Sequence, residues 1–147
     1  MEVITRKAAI EDATIIAPLF DAYRVWYHQT SDTGGALNFI TERLQLNESV
    51  IFLSFINEEA VGFTQLYPIF TSVGMQRAFL LNDLFVKGSA RGKHVATALL
   101  NAAKDHGKSL NCKWLMLETG VDNLAAQALY EKGGWIKEKN FFYSIAL

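Results

Sequence analysis

The sequence predicts an α/β protein built on a mixed, mostly antiparallel sheet with helices on its flanks. Three observations carry this reading. Two strand-like runs, Val50 to Ile56 and Ala60 to Tyr67, are separated only by Asn57-Glu58-Glu59, the pattern of a hairpin. An apolar run, Ala78 to Val86, is too short and too rich in bulky residues for a helix, and a basic turn and a helical stretch from Val95 to His106 follow it. A further run at Trp114 to Glu118 completes strand, helix and strand, a crossover that makes its two strands parallel.

The remaining elements follow in chain order. Val3 to Arg6 reads as a first strand. Asp12 can cap a helix in which Ile16, Leu19, Phe20, Tyr23 and Tyr27 recur at helical spacing. Gly34-Gly35 breaks the next stretch, and a short helix is expected near Leu37 to Leu44. In the helix from Val95, residues Val95, Ala96, Leu99, Leu100, Ala102 and Ala103 form a broad apolar face for the sheet. Asp122 to Trp135 reads as a capped helix, with Asp or Asn at its start and Gly at its end. Aromatic terminal strands are expected at Trp135 to Lys137 and Phe141 to Ile145.

Composition narrows the class. At 147 residues the chain is read as one domain, 1–147, large enough to bury roughly two-thirds of its surface. A net charge of −1 argues against a general nucleic-acid binder, so the basic residues of the turn are a local feature. The one cysteine, Cys112, excludes an internal disulfide and fits a reducing compartment. It reads as a small packing residue, because no paired base can be inferred. Three scattered histidines lack metal-ligand spacing, so no metal is expected. No segment resembles a signal peptide or a membrane span, which makes a cytoplasmic location the expectation.

The chemistry-bearing stretch is the turn Lys87-Gly88-Ser89-Ala90-Arg91-Gly92-Lys93-His94. Strand, basic turn and helix present free backbone N–H groups and a positive helix end to a phosphate, here best matched to a pyrophosphate. Two familiar phosphate motifs fail. A P-loop needs G-x-x-x-x-G-K-[ST], but Gly88 and Gly92 are one residue too close, and Lys93 is followed by His94. A G-x-G-x-x-G dinucleotide fingerprint occurs nowhere in the chain.

Arg91-Gly92-Lys93-His94-Val95-Ala96 resembles the R/Q-x-x-G-x-G/A signature of the GNAT superfamily of N-acetyltransferases, with His94 where the family more often has Gly. A second stretch agrees. Asn123, Ala126, Tyr130, Gly134 and Trp135 match the superfamily pattern N-x-x-A-x-x-x-Y-x-x-x-G-[FW] at every named position. Asn123 and Tyr130 are two helical turns apart, which places them on one helix face about 10 Å apart along the axis.

The resemblance implies a fold over the whole chain in which parallel strands four and five splay and admit the pantetheine arm of acetyl-CoA. Its amides would pair with backbone at Leu84, Phe85 and Val86, much as an added strand does. The pyrophosphate would rest on Arg91, Gly92, Lys93, His94, Val95, Ala96 and Thr97, and Asn123, Ala126 and Tyr130 would also contact the cofactor. The implied reaction moves an acetyl group to a primary amine of a small molecule by direct attack on the thioester. Val86 N–H would polarise the carbonyl and Tyr130 O–H would serve the sulfur.

Asp83 interrupts an apolar strand, where a carboxylate is costly unless paired. Three readings stand: a base, an acceptor-binding charge, or a structural partner of a neighbouring turn. Glu118 on the facing strand is a second candidate base. The first two helices and the hairpin would flank the acetyl group and offer Tyr23, Arg24, Tyr27 and Tyr67 to the acceptor, with Trp26, His28 and Asp32 nearby. The sequence also looks like the branch holding polyamine, histone and D-amino-acid acetyltransferases. A non-catalytic acyl-CoA-binding regulatory module and a protein N-acetyltransferase stay open beside the small-molecule enzyme. The aromatic surface of the C-terminal run, in a superfamily whose members often pair there, leads to the expectation of a homodimer.

Overall fold

Asn57 and Glu58 both adopt positive φ, 49° and 65°, the conformation that lets a two-residue loop match the twist of the strands it joins. The hairpin they close consists of β2 (Val50–Ile56) and β3 (Glu59–Thr71). The computed structural model describes Met1–Leu147, folded as two compact units, Met1–Leu117 and Glu118–Leu147.

The first unit adds β1 (Val3–Lys7), α1 (Ala13–Trp26), α2 (Thr33–Gln45), β4 (Gln76–Val86), α3 (Val95–Ser109) and β5 (Leu115–Met116). The strands lie in the order β1-β2-β3-β4-β5. All neighbours are antiparallel except β4 and β5, which run parallel as the crossover requires. The sheet is sandwiched. Ile16 and Phe20 of α1 and Ile40 of α2 pack on Ile51, Leu53 and Phe63, while Gly62, the neighbour of Phe63 and so pointing to the other face, meets Val95 and Leu99 of α3.

A β-bulge in β4 decides what faces where. Gln65 pairs with Asp83 but Leu66 pairs with Leu81, so Asn82 is the extra residue. Phe79 and Phe85, six apart, would share a face of a regular strand. Instead Phe79 contacts His106 of α3, and Phe85 contacts Tyr23 of α1. The bulge therefore turns Asp83 and Phe85 to the α1 side, and Thr64 Oγ1 secures it with a 2.8 Å bond to Asp83 O.

Several expectations need correction. Gly34 and Gly35 do not break the chain; they lie in the first turn of α2. Asp32 caps that helix by accepting from Gly35 N at 2.9 Å, and a Cβ on Gly35 would collide with the Asp32 carboxylate. Asp12 sits at the start of α1 but makes no cap bond; it binds Arg6 and accepts from Ala9 N instead. β5 shrinks to two residues, so Glu118 is not on a strand.

The second unit holds α4 (Leu124–Lys132), capped by Asn123 and closed by Gly133, with Gly134 at φ 89°. The expected strands at 135–137 and 141–145 do not form. Aromatic content gives these residues strand propensity. Three consecutive aromatics, Phe141-Phe142-Tyr143, lack the alternation that fixes one face inward, and propensity without a ladder partner does not make a strand.

Candidate active site

The turn after β4 is shaped by two left-handed residues, Gly92 at φ 76° and His94 at φ 64°. A side chain at Gly92 would meet nothing within 4 Å, so the backbone there is open to a ligand. His94 takes a conformation that costs an L-residue about 1–2 kcal/mol, which explains why glycine suits this position and why a Cβ is still tolerated. The first α3 ladder bond runs from Ala98 N to His94 O. The N–H groups of Val95, Ala96 and Thr97 therefore have no acceptor in the helix, and His94 offers no side-chain cap. Arg91, Lys93 and His94 are exposed around them. Donors, helix dipole and cations converge on one open turn.

Arg91 is held by its own surroundings. Its guanidinium lies 4.7 Å over the Trp26 ring, and Nε donates to Val86 O at 3.3 Å. Ala22, Val25, Trp26, His28, Phe85 and Arg91 line an open cleft of about 540 Å³ between the end of α1 and the end of β4.

The β4 edge beside this turn has no strand partner over Leu84–Val86, and its outward Val86 O is the acceptor of the Arg91 Nε bond. Lys87 N bonds to Val61 O, so the next pair, Val86 with Gly62, is of the non-bonded kind, as is Leu84 with Thr64. The N–H and C=O groups of Leu84 and Val86 thus face away from β3. β5 pairs only with Phe79 and Leu80, so it does not extend along Leu84–Val86.

On the α1 face lies a buried polar cluster. Asp83 is 2% exposed. Gln65 Nε2 donates to its Oδ2 at 2.5 Å and Asn82 Nδ2 to its Oδ1 at 2.7 Å. The Tyr23 hydroxyl donates to Asn82 O at 3.2 Å and also stabilises the carboxylate. Burial nevertheless holds the Asp83 carboxyl above the ordinary carboxylate range. Burial and then the Asp83 charge push the Tyr23 phenol well up and Tyr67 to about 12. Both phenols therefore stay protonated at neutral pH, and Asp83 is the group in the cluster that can take up a proton. Gln65, fully buried, leaves Oε1 without a partner among the protein's groups, an arrangement that costs about 1–3 kcal/mol.

Of the acceptor-side residues, Tyr23 and Tyr67 lie near Asp83, while the exposed Tyr27 ring meets that of Tyr23 at 5.0 Å. Arg24 is not. Its Nη1 donates to Thr30 O at 3.3 Å and its charge acts on Asp21. Buried Asp21 accepts from Ser31 Oγ and Asp32 N, both at 2.7 Å, so Arg24 and Asp21 together fix the loop after α1. Gln65, Asn82 and Thr64 escaped sequence reading. The available signal was a pair of polar residues, Thr64-Gln65, inside the otherwise apolar strand.

In the second unit, Asn123 Oδ1 accepts from Ala126 N at 3.1 Å. The Tyr130 ring lies 6.2 Å from that of Trp135. Glu118 is exposed. No group of His, Cys, Asp and Glu is placed to hold a metal, and no helix is long and apolar enough to cross a membrane.

A five-stranded mixed sheet with one parallel pair at its β4–β5 end, helices on its flanks and an exposed basic turn leading into α3 is an acetyltransferase-type fold. The Acetyltransferase (GNAT) family pattern matches residues 16–135, and the chain belongs to this family of acetyltransferases. It is 46% identical over 138 residues to the uncharacterized N-acetyltransferase YhfO of Bacillus subtilis (strain 168), covering 94% of this chain and 93% of that one. It is 38% identical over 100 residues to a probable acetyltransferase of Haemophilus influenzae, with 67% and 68% covered. A crystal structure of a probable acetyltransferase superposes with a TM-score of 0.90 at 36% identity, over 99% of each chain.

Proposed function

We propose that the chain is one domain that transfers an acetyl group from acetyl-CoA to a primary amine of a small molecule, by direct attack in a ternary complex. The observation that carries this is the buried Asp83 cluster on the same strand as the open Leu84–Val86 edge. The family match over 16–135 runs across both units, which supports reading 1–147 as a single acetyltransferase domain.

The residues present fit acetyl-CoA. The Val95–Thr97 amides with Arg91 and Lys93 suit a pyrophosphate, Gly92 leaves the turn open, and the outward amides of Leu84 and Val86 suit pantetheine. Bound acetyl-CoA supplies an acetyl thioester. Val86 N–H is assigned to the carbonyl oxygen as charge develops there. Asp83 removes the amine proton, and Tyr130 O–H donates a proton to the departing sulfur. Asn123 and Ala126 are assigned to the cofactor. Tyr23, Tyr27 and Tyr67 wall the acceptor site with rings that suit a cation or an alkylamine stem. Release of CoA thiol across a panel of amines tests the reading: it is supported by amine-dependent release and contradicted by release that no amine accelerates.

Arg91→Ala should weaken CoA binding by about 1.5–3 kcal/mol, the scale of a charge-assisted contact. Calorimetry on the folded variant checks this, and unchanged affinity would place the pyrophosphate elsewhere.

A homodimer is also proposed. Phe141, Phe142, Tyr143 and Ile145 stand 69–96% exposed in one copy of the chain, more aromatic surface than a monomer ordinarily presents. Sedimentation at tens of micromolar should give a dimer; a monomer with and without CoA removes the idea.

A further inference from the structure

Gln65 has two polar ends in different circumstances. Its Nε2 is engaged by Asp83, and turning the amide over would set two oxygens against each other, so the side chain is held in one orientation. That orientation leaves Oε1 fully enclosed and unpartnered. Buried acceptors are seldom left so, and an unpaired one beside a functional group points to a ligand donor that arrives later. Beside the Gln65 amide lie the Asp83 carboxylate, which binds donors, and the protonated Tyr67 phenol, which interacts with the same side chain; the Tyr23 phenol stands on the Asp83 side of the cluster. Arg43 of α2, whose charge acts on Tyr67, is paired with Glu42 and Glu48, and no cation is bonded to the Asp83 carboxylate. A primary amine brings at least two N–H groups on one small atom, as many as the two acceptors need. A hydroxyl brings one.

We infer that Gln65 is a ligand of the acceptor amine and a determinant of amine over alcohol specificity, its Oε1 accepting one N–H while Asp83 accepts another. This rests on the reading of Asp83 as the group that receives the amine proton. Gln65 then has two roles at once: Nε2 positions the carboxylate and favours its anion, and Oε1 selects the acceptor.

Gln65→Met removes both polar ends with little change of volume. With the panel amine turned over fastest, the variant should raise the acceptor KM at least about tenfold and leave the acetyl-CoA KM within about twofold. The acid limb of kcat/KM should move to higher pH, because Asp83 loses a donor that favours its anion. An independent readout uses the parent protein without acetyl-CoA. NMR signals of the Gln65 side-chain amide should shift on titration with n-butylamine and stay in place with n-butanol.

The two readings fail separately. If Asp83→Asn keeps the parent rate, the base assignment falls. If Asp83→Asn is impaired while folded Gln65→Met keeps the parent acceptor KM and acid limb, this inference alone is wrong. Gln65 signals unmoved at the highest amine concentration, or moved equally by both probes, also overturn it, and leave Oε1 to a buried water.

Discussion

Asp83→Asn should lower kcat/KM for the amine by roughly 10²–10⁴, the range for loss of a positioned base, with the fold intact. The sign of its pH dependence follows from burial. The native carboxyl titrates above its unfolded value of about 4, so the ionised, active form is lost as pH falls through that raised value. The parent should therefore show an acid limb above the ordinary carboxylate range, and the variant should lack it. Stability should move the other way. At neutral pH the fold carries an ionised carboxylate that burial disfavours, so removing the charge leaves stability equal or higher. Once the charge is gone, the Gln65 amide is free to turn over and accept from the amide nitrogen that the substitution introduces. A variant that is inactive and at least as stable as the parent separates a base from a structural carboxylate, whose loss would cost stability. Thermal unfolding and pH–rate profiles check both halves.

Tyr130→Phe should lower kcat by roughly 10²–10⁴ if the phenol protonates the departing thiolate. One oxygen is removed and the ring that faces Trp135 stays, so α4 and most CoA affinity should persist. The effect belongs in kcat more than KM, because the bond strengthens as charge grows on sulfur. Single-turnover experiments isolate chemistry from release. A Phe variant that turns over at the parent rate there makes Tyr130 a packing residue.

Local signals carried most of the fold. The turn at Asn57-Glu58, the strand-like runs on either side of it and the apolar face of α3 are each set by residues close in sequence, and they were legible in the sequence. Asp83 was legible as an anomaly, because a carboxylate in an apolar strand needs a reason. Its partners were not. Pairing Gln65 with Asp83 depends on register across two strands, and the Asn82 bulge breaks the two-residue alternation by which faces are read. Arg24 resembles an acceptor ligand because its neighbours are aromatic, but its partner Thr30 lies on a loop whose path α1 alone does not reveal. The aromatic C-terminus misleads in the opposite direction, since strand propensity is satisfied only when a neighbouring backbone supplies the ladder. Gly34-Gly35 misleads because the Asp32 cap outweighs the low helix propensity of glycine in a first turn.

Direct transfer to an amine held at Asp83, as proposed, passes through no acetylated form of the protein. Rapid mixing of the protein with acetyl-CoA, with and without the active amine, reads it most directly when thiol release and intact protein mass are followed together. Thiol should be released only when amine is present, and the protein mass should never change. A burst of thiol without amine, matched by an acetylated chain that the amine then discharges, would contradict it.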